Sequence, residues 1–330
     1  MAEFLTFDTD ITAVANAIRA KGGTSAQLVY PNGFVSAIQA IQTGITPKLV
    51  ITTAPGASIT ATPAEGFKVV KGTAGTDGMC TLELPKAGTW HVTAMANSVS
   101  NSQNIVIGTQ SMLLPLYHDT FADNTWEEII AVCRTGIAPD SWAVGDSKTM
   151  TIGGTAYQVD IIGKNHDEYA DGSGTAPLTF QLHDCYSEAK QMYSTNLSGL
   201  GWKNTDMRLT YLPAILALMP AEVKNGIHAV NKKTSEGGNS TTIETVSDTL
   251  FLLSEAEIFG TASSSVAGEG SQYDYYKAGN PKIKKREGVD EFWWERSSAS
   301  GGMFCRVRAN GQAGASNASS SLGVSFAFCF

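Results

Sequence analysis

The chain has 330 residues, of which 42% are apolar and only 16% charged, with a net charge of -8 at neutral pH. That length accommodates two or three domains with real cores, and the acidic balance argues against nucleic acid as a partner. No run of ~18 apolar residues occurs, so no helical membrane insertion is expected, and the many Ser, Thr, Asn and Gly residues suit a β-rich virion-like or extracellular surface.

The first ten residues, MAEFLTFDTD, carry acids where a signal peptide needs a basic start. Assembly inside the producing cell is therefore expected rather than secretory export. Thr9 or Asp10 can cap a helix whose apolar stripe is Ile11, Val14, Ala15 and Ile18, ended by Gly22-Gly23. A second short helix, Gly33 to Gln42, sets Phe34, Ile38 and Ile41 on one face. Helices this short are unstable alone, so the 1–44 segment needs a partner. Self-association as a trimer, docking onto a larger assembly, and a simple helical hairpin capping the next domain are the three readings.

Residues 45–110 switch to a strand pattern. Leu49-Val50-Ile51, Thr81 to Leu84, Trp90 to Ala94 and Ile105 to Ile107 are separated by turn signals at Pro55-Gly56, Gly72 and Asp77-Gly78. Short strands at this spacing predict a small β-sandwich, with His91 merely exposed on its outside.

Ser111 to Tyr117 reads as a linker that opens the third domain, 111–330. Thr125-Trp126-Glu127-Glu128 is a capping box ahead of Ile129, Ile130 and Val132, with Gly136 as the stop. Thr149 to Ile152 and Tyr157 to Ile162 flank Gly153-Gly154 as a β-hairpin. Asn165 to Asp171 gathers one His and three acids. It lacks the regular spacing of a Ca²⁺ loop and is read as a solvated acidic loop. His183-Asp184-Cys185 mimics a nucleophilic triad, but neighbours on a strand face opposite ways. Lys282 to Arg286 is read as a solvated basic loop that could attract an acidic glycan or cell surface. The five cysteines form no CxxC and no zinc spacing, so free buried thiols are expected, with a Cys305–Cys329 pair as the alternative.

The last stretch, 292–330, has two apolar anchors. Phe292, Trp293 and Trp294 stand at the front; Val324, Phe326, Phe328 and Phe330 alternate with Ser325, Ala327 and Cys329 at the back, the signature of a half-buried strand. Between them lie some thirty small and polar residues that, pinned at both ends, form an ordered solvent-facing surface. Asn310-Gly311 suits a type I′ turn. Alternation puts Cys305, Val307 and Ala309 on one face, with Phe304, Arg306, Arg308 and Asn310 on the other. Two arginines and an aromatic ring make a binding hot spot, although a glycine-serine loop without a ligand fits composition equally well.

WWERS, FCRV, ANG and GVSFAFC, in that order, resemble the C-terminal signature of a C-type-lectin-like family found at the ends of phage tail proteins and of gut-bacterial surface proteins. NTWEEIIAVCRTG, WAVGDSKTMTIGGTAYQVDIIG, GWKNTDMRLTYL, LFLLSEAEIFG and EGSQYDYYKAG are similar to the same family. ITTAPGASITATPAEG and GTAGTDGMCTLELPKAGTWHVTA resemble carboxypeptidase-regulatory-like, immunoglobulin-like spacer repeats. TDITAVANAIRAKGG resembles an N-terminal segment of tail proteins from phages of gut Firmicutes. The resemblance implies an α+β architecture: a C-type-lectin-like domain, preceded by a small β-sandwich and a short helical segment.

Some members of that family are diversified by retroelements acting on Asn codons. Where they carry Asn, this chain has Arg306, Arg308, Gln312, Gly314, Ala315, Ser316, Ser320 and Leu322. With Glu295, Ser298, Ser300, Met303 and Phe304 these are the expected ligand-binding positions, whether the surface is diversified or fixed. The implied role is a receptor-binding or adhesion protein of a phage tail, located in the virion and contacting other tail proteins and a bacterial surface protein or glycan. A bacterial cell-surface adhesin of the same architecture is the second reading, and a structural tail protein without its own ligand the third. No Glu-Pro-Asn or Gln-Pro-Asp triplet of Ca²⁺-dependent sugar binding occurs, so neither metal nor cofactor is expected. Formylglycine-generating oxidases share the fold class, but Cys305 and Cys329 occupy framework positions, so no enzyme is expected.

Overall fold

The computed structural model describes residues 8–20, 47–64, 68–107, 110–197, 199–238 and 240–330, in two units, Met1–Leu116 and Tyr117–Phe330. Both are built mainly from sheet with few helices, a mixed α+β chain. None of the helices among the described residues is long and apolar enough to cross a membrane.

In the first unit, α1 (Asp8–Ala20) buries Ala15 and Ile18 of the expected stripe and leaves Val14 exposed. The expected second helix lies outside the described residues. Seven strands follow: β1 (Lys48–Thr52), β2 (Ser58–Pro63), β3 (Val70–Thr73), β4 (Met79–Glu83), β5 (Gly88–Ala96), β6 (Val99–Ile107) and β7 (Gln110–Leu113). They form sheets ordered β4-β1-β7 and β3-β2-β5-β6, sharing a core of Leu49, Ile51, Ile59, Leu82, Trp90 and Val92. Alternation along β5 turns Trp90, Val92 and Ala94 inward and His91 outward, where its ring meets Asn104 at 2.8 Å.

Two expectations change here. Gly72 marks no turn but sits inside β3, where a Cβ would lie 2.6 Å from Cys80 Sγ and 2.7 Å from Leu82 Cδ2; the glycine admits the neighbouring strand. Ser111 to Leu116 belongs to the sandwich rather than to the third domain. β7 pairs in parallel with β1, and Met112, Leu114 and Leu116 enter the sandwich core, so the division falls after Leu116.

In the second unit, α2 (Trp126–Cys133) begins with the expected capping box: Glu128 N–H donates to Thr125 Oγ1 and Thr125 N–H to Glu128 Oε2. β8 (Ser147–Ile152) and β9 (Thr155–Lys164) form the expected hairpin through Gly153 and Gly154, both at positive φ. β10 (Leu178–Leu182) continues that sheet. Next come α3 (Leu212–Leu218), α4 (Ala221–Gly226), the hairpin β11 (Val230–Ser235) and β12 (Ile243–Asp248), α5 (Glu255–Phe259) and α6 (Asp274–Lys277). The hairpin β13 (Lys284–Arg286) and β14 (Val289–Glu291) leads into β15 (Trp293–Ser298), β16 (Met303–Val307) and β17 (Ala313–Asn317). β18 (Ala327–Cys329) returns to pair with β10, giving the order β18-β10-β9-β8.

The C-terminal stretch is buried on both faces, not half-buried as its alternation suggested. Val324 to Phe330 are all at most 1% exposed, Ser325, Ala327 and Cys329 included. Phe328 and Phe330 pack on Phe180, and Phe330 also on Trp126, while Phe251 and His228 bridge to the strand's other edge. All five cysteines are buried and free.

Replacing Phe326 or Trp294 by Ala should cost roughly 3–5 kcal/mol of stability, because each empties a fully buried site. Removing the exposed cap with Thr125→Ala should cost only about 1 kcal/mol. Urea denaturation of the three variants should show that ranking.

Candidate ligand-binding surface

β15, β16 and β17 form one antiparallel sheet in that order. Every side chain of β15 is buried. Trp293 Nε1 donates to the Lys282 carbonyl and Trp294 Nε1 to that of Lys190, so both indoles satisfy their one donor while filling the core. Arg296 is wholly buried and fully paired. Its guanidinium makes a two-toothed ion pair with Glu257, with Nη2 at 2.8 Å from Oε1. It also donates to the carbonyls of Lys233, Leu252 and Glu269.

This burial corrects part of the expected ligand set. Glu295, Ser298 and Phe304 are 0–2% exposed and cannot meet a ligand. Ser298 Oγ donates to the Gly238 carbonyl, and Phe304 packs near Tyr193. Phe304 and Cys305 are neighbours on β16, yet both are buried, because structure covers this part of the strand from both sides. Gly314 is buried under Arg308, whose Nε would be 2.8 Å from an added Cβ.

Ser300, Arg308 and Gln312 are exposed; Met303, Arg306, Ala315, Ser316, Ser320 and Leu322 are half-buried. Sharp turns hold them. Gly301 and Gly302 take positive φ between β15 and β16, and an added Cβ on Gly302 would meet the Asn196 carbonyl at 2.6 Å. Between β16 and β17, Gly311 N–H donates to the Arg308 carbonyl, with Gly311 at φ 81. Asn310 is not at positive φ, so the turn is not the expected type I′, which needs both central residues there. The Asn310 side chain instead braces Gln312. The 317–322 stretch is tied to residues 190–196 by the Lys190–Leu322 bridge and by Ser319 Oγ on Asn196 Oδ1.

Arg306 and Arg308 lie on one face, as their spacing implies. The Arg306 guanidinium stacks 4.1 Å from the Phe292 ring centre, and its Nε donates to the Ala315 carbonyl. Among the described residues neither arginine has a carboxylate partner. Burial first, then the charge of Arg308, lowers the Arg306 pKa from its ordinary value. Two uncompensated guanidinium groups beside a part-exposed ring suit a ligand that presents an acidic group.

Other charged motifs are interior. Asp167 of the expected solvated loop is buried, pairing with Lys232 at 2.6 Å and accepting from Thr179 and Tyr273. Lys232 also pairs with Glu257 at 2.7 Å. Lys284 of the expected basic loop is buried too. Its ammonium donates to the Leu182 and His183 carbonyls, and burial brings its pKa down to about 8. His183, Asp184 and Cys185 do not converge: His183 pairs with Asp160, Asp184 accepts from Lys285 N–H, and burial pushes the Cys185 thiol up to about 12. No group of three or more His, Cys, Asp or Glu side chains is arranged for a metal ion among the described residues. Alternation and composition could not reveal the interior network. Its one local signal was Ser254-Glu255-Ala256-Glu257, a second capping box whose N3 acid is the partner of Arg296.

Glu295 has no hydrogen-bond partner on either carboxyl oxygen among the described residues. Burial, then the nearby acids Glu255 and Glu269, holds its pKa well above the ordinary value and favours the neutral carboxyl. A carboxyl raised in the folded state binds its proton more tightly there than in the unfolded chain. Its stabilising contribution is therefore complete below the unfolded pKa of about 4.5 and declines as pH rises above it. Glu295→Gln keeps the shape and removes the ionisation. It should leave the melting temperature nearly unchanged at pH 4 and raise it by about 2–4 °C or more at pH 8, the shift that 1 kcal/mol gives a domain of this size.

A family model described as a domain of unknown function, DUF6273, matches residues 179–330, a span that runs from the second residue of β10 past β18 and includes the whole arginine-bearing surface. No curated protein matches the chain.

Proposed function

We propose that this chain is a receptor-binding or adhesion protein of a phage tail, whose C-terminal unit is C-type-lectin-like and presents the 300–322 surface to an acidic group on a bacterial surface protein or glycan. The carrying observation is the contrast across β16 and β17. Among the described residues Arg306 and Arg308 stand without acidic partners, while Trp293, Trp294, Phe304 and Val307 of the same sheet are buried. A part-exposed guanidinium whose charge is not matched by a carboxylate can spend that charge on a ligand. The motif order WWERS, FCRV, GVSFAFC supports the lectin-like reading, as does a terminal strand that returns to the central sheet. A binding role also suits the thiols. Cys305 and Cys329 are buried and pushed far from thiolate formation, by burial first, opposite to what a catalytic cysteine needs.

A bacterial surface adhesin would use the same face, and neighbouring tail genes would separate the two readings. Trimerisation through the N-terminal segment belongs to the proposal, and light scattering of the full chain tests it.

Arg306→Ala and Arg308→Ala should each weaken binding to whole bacterial cells by about 2 kcal/mol, roughly 30-fold in Kd. Each should alter folding stability by less than about 1 kcal/mol. Binding should fall as salt rises, since one exposed and one part-exposed charge carry it, and should persist in EDTA. Unfolding of either variant, or unchanged binding to cells that the wild type binds, would end the reading.

A further inference from the structure

The interior of the second unit holds a lysine, an aspartate and a glutamate in an arrangement that a simple ion pair does not require. Lys232 Nζ lies 2.6 Å from Asp167 Oδ1 and 2.7 Å from Glu257 Oε1, and all three side chains are only 2–3% exposed. Aromatic rings close over the amine: Phe251 is centred 4.4 Å from Nζ and Tyr273 5.4 Å. The backbone fixes the approach. Tyr169 bridges Val230 in antiparallel fashion, and Asn231 N–H donates to the Glu168 carbonyl. Two residues further along that register, Asp167 stands opposite Lys232. Donors converge on the carboxyl group as well: Thr179 Oγ1 at 2.6 Å and the Tyr273 hydroxyl at 2.9 Å both donate to Oδ2.

We propose that Lys232 and Asp167 become joined by a side-chain amide bond within the folded unit, with Glu257 carrying the proton. The step balances without any co-reactant. One proton passes from the ammonium to the Asp167 carboxylate, leaving a neutral amine beside a neutral acid. Nζ then attacks Cγ, and a negative charge develops on Oδ2, where the Thr179 and Tyr273 hydroxyls donate. Glu257 takes a second proton from Nζ as the N–C bond forms. It returns that proton to the departing hydroxyl, which leaves as water, and the carbonyl re-forms. A cavity of about 410 Å³ bordered by His166, Glu168, Asn231 and Gly270 adjoins the three side chains and gives the water an exit.

The resting pair is ionised: among the effects that counter burial, the Lys232 charge is the largest that holds Asp167 down, to about 2. The reactive neutral pair is therefore scarce, yet the bond needs to form only once in each molecule. Fixed contact between the amine and the carboxylate supplies the effective concentration. Burial also removes the water that would otherwise favour two separate ions.

Intact-mass measurement of the purified, denatured full chain tests this directly. The expected mass is lower than that of the sequence by one water, and a protease digest should yield the Asp167 peptide linked to the Lys232 peptide, with no tryptic cut after Lys232. Asp167→Ala should restore the full mass. Glu257→Gln retains both reacting groups and should remain unlinked; linkage at the wild-type extent would remove Glu257 from the step. A wild-type chain of full mass, cut normally after Lys232, would overturn the proposal without reference to whether any variant folds.

Discussion

The second unit depends on seating one guanidinium away from water. A buried charge costs several kcal/mol unless it is paired and its donors are matched, and Arg296 meets that demand by reaching across the chain. Its partners are the carboxylate of Glu257, at the start of α5, and the carbonyls of Lys233 in β11, Leu252 ahead of α5 and Glu269 in the following loop. The β11 residue, the segment around α5 and Arg296 itself are separated in sequence, and the one guanidinium ties all three together. Glu257 does double duty, since one oxygen also accepts from Ser254 N–H in the capping box. The helix start, the β11 hairpin and β15 are thereby locked together. The indoles of Trp293 and Trp294 pack beside the same strand.

From that fixed strand the sheet that bears Arg306 is built outward. β15 is interior, β16 is covered at Phe304 and Cys305 and open at Arg306, and the turn after Arg308 stands in solvent. Burial is thus complete at the charge cluster and partial at the arginines, with Val307 between them buried. Stability resides at one end of this gradient and chemistry at the other. An adhesive surface benefits from that separation, because a preorganised face loses little conformational freedom when a ligand arrives.

Local signals were legible in the sequence. The Thr125 capping box, the Gly153-Gly154 hairpin and most of the sandwich strands depend on neighbours within a few residues, and they lie where their residues indicated. Alternation placed Arg306 and Arg308 together on one face. It failed for Phe304, Ser325 and Cys329, because a two-residue period separates two faces but cannot say that both are covered. Charge misled in the same way. Asp167 and Lys284 read as solvated because charged residues usually are. Their true environment is set by Lys232, by Thr179 and by the carbonyls of Leu182 and His183, none of which is adjacent in sequence to its partner. Glu295 lies between the apolar anchor and the small polar stretch, which gives no local sign that β15 turns it inward.

The Arg308 side chain lying across Gly314 joins two diagonal neighbours near the tip of one hairpin, since Gly314 itself pairs with Arg306. Any residue larger than glycine at 314 would push its Cβ into the Arg308 Nε position and send the guanidinium elsewhere. The effect of a change at 314 therefore depends on what occupies 308, and the two will not combine additively. If this face changes as its ligands change, 308 and 314 form an epistatic pair: an arginine that reaches over the sheet requires the glycine, and a bulkier 314 favours a short side chain at 308. The repertoire of such a surface is then smaller than the product of its separate positions, and its members differ in shape as well as in charge.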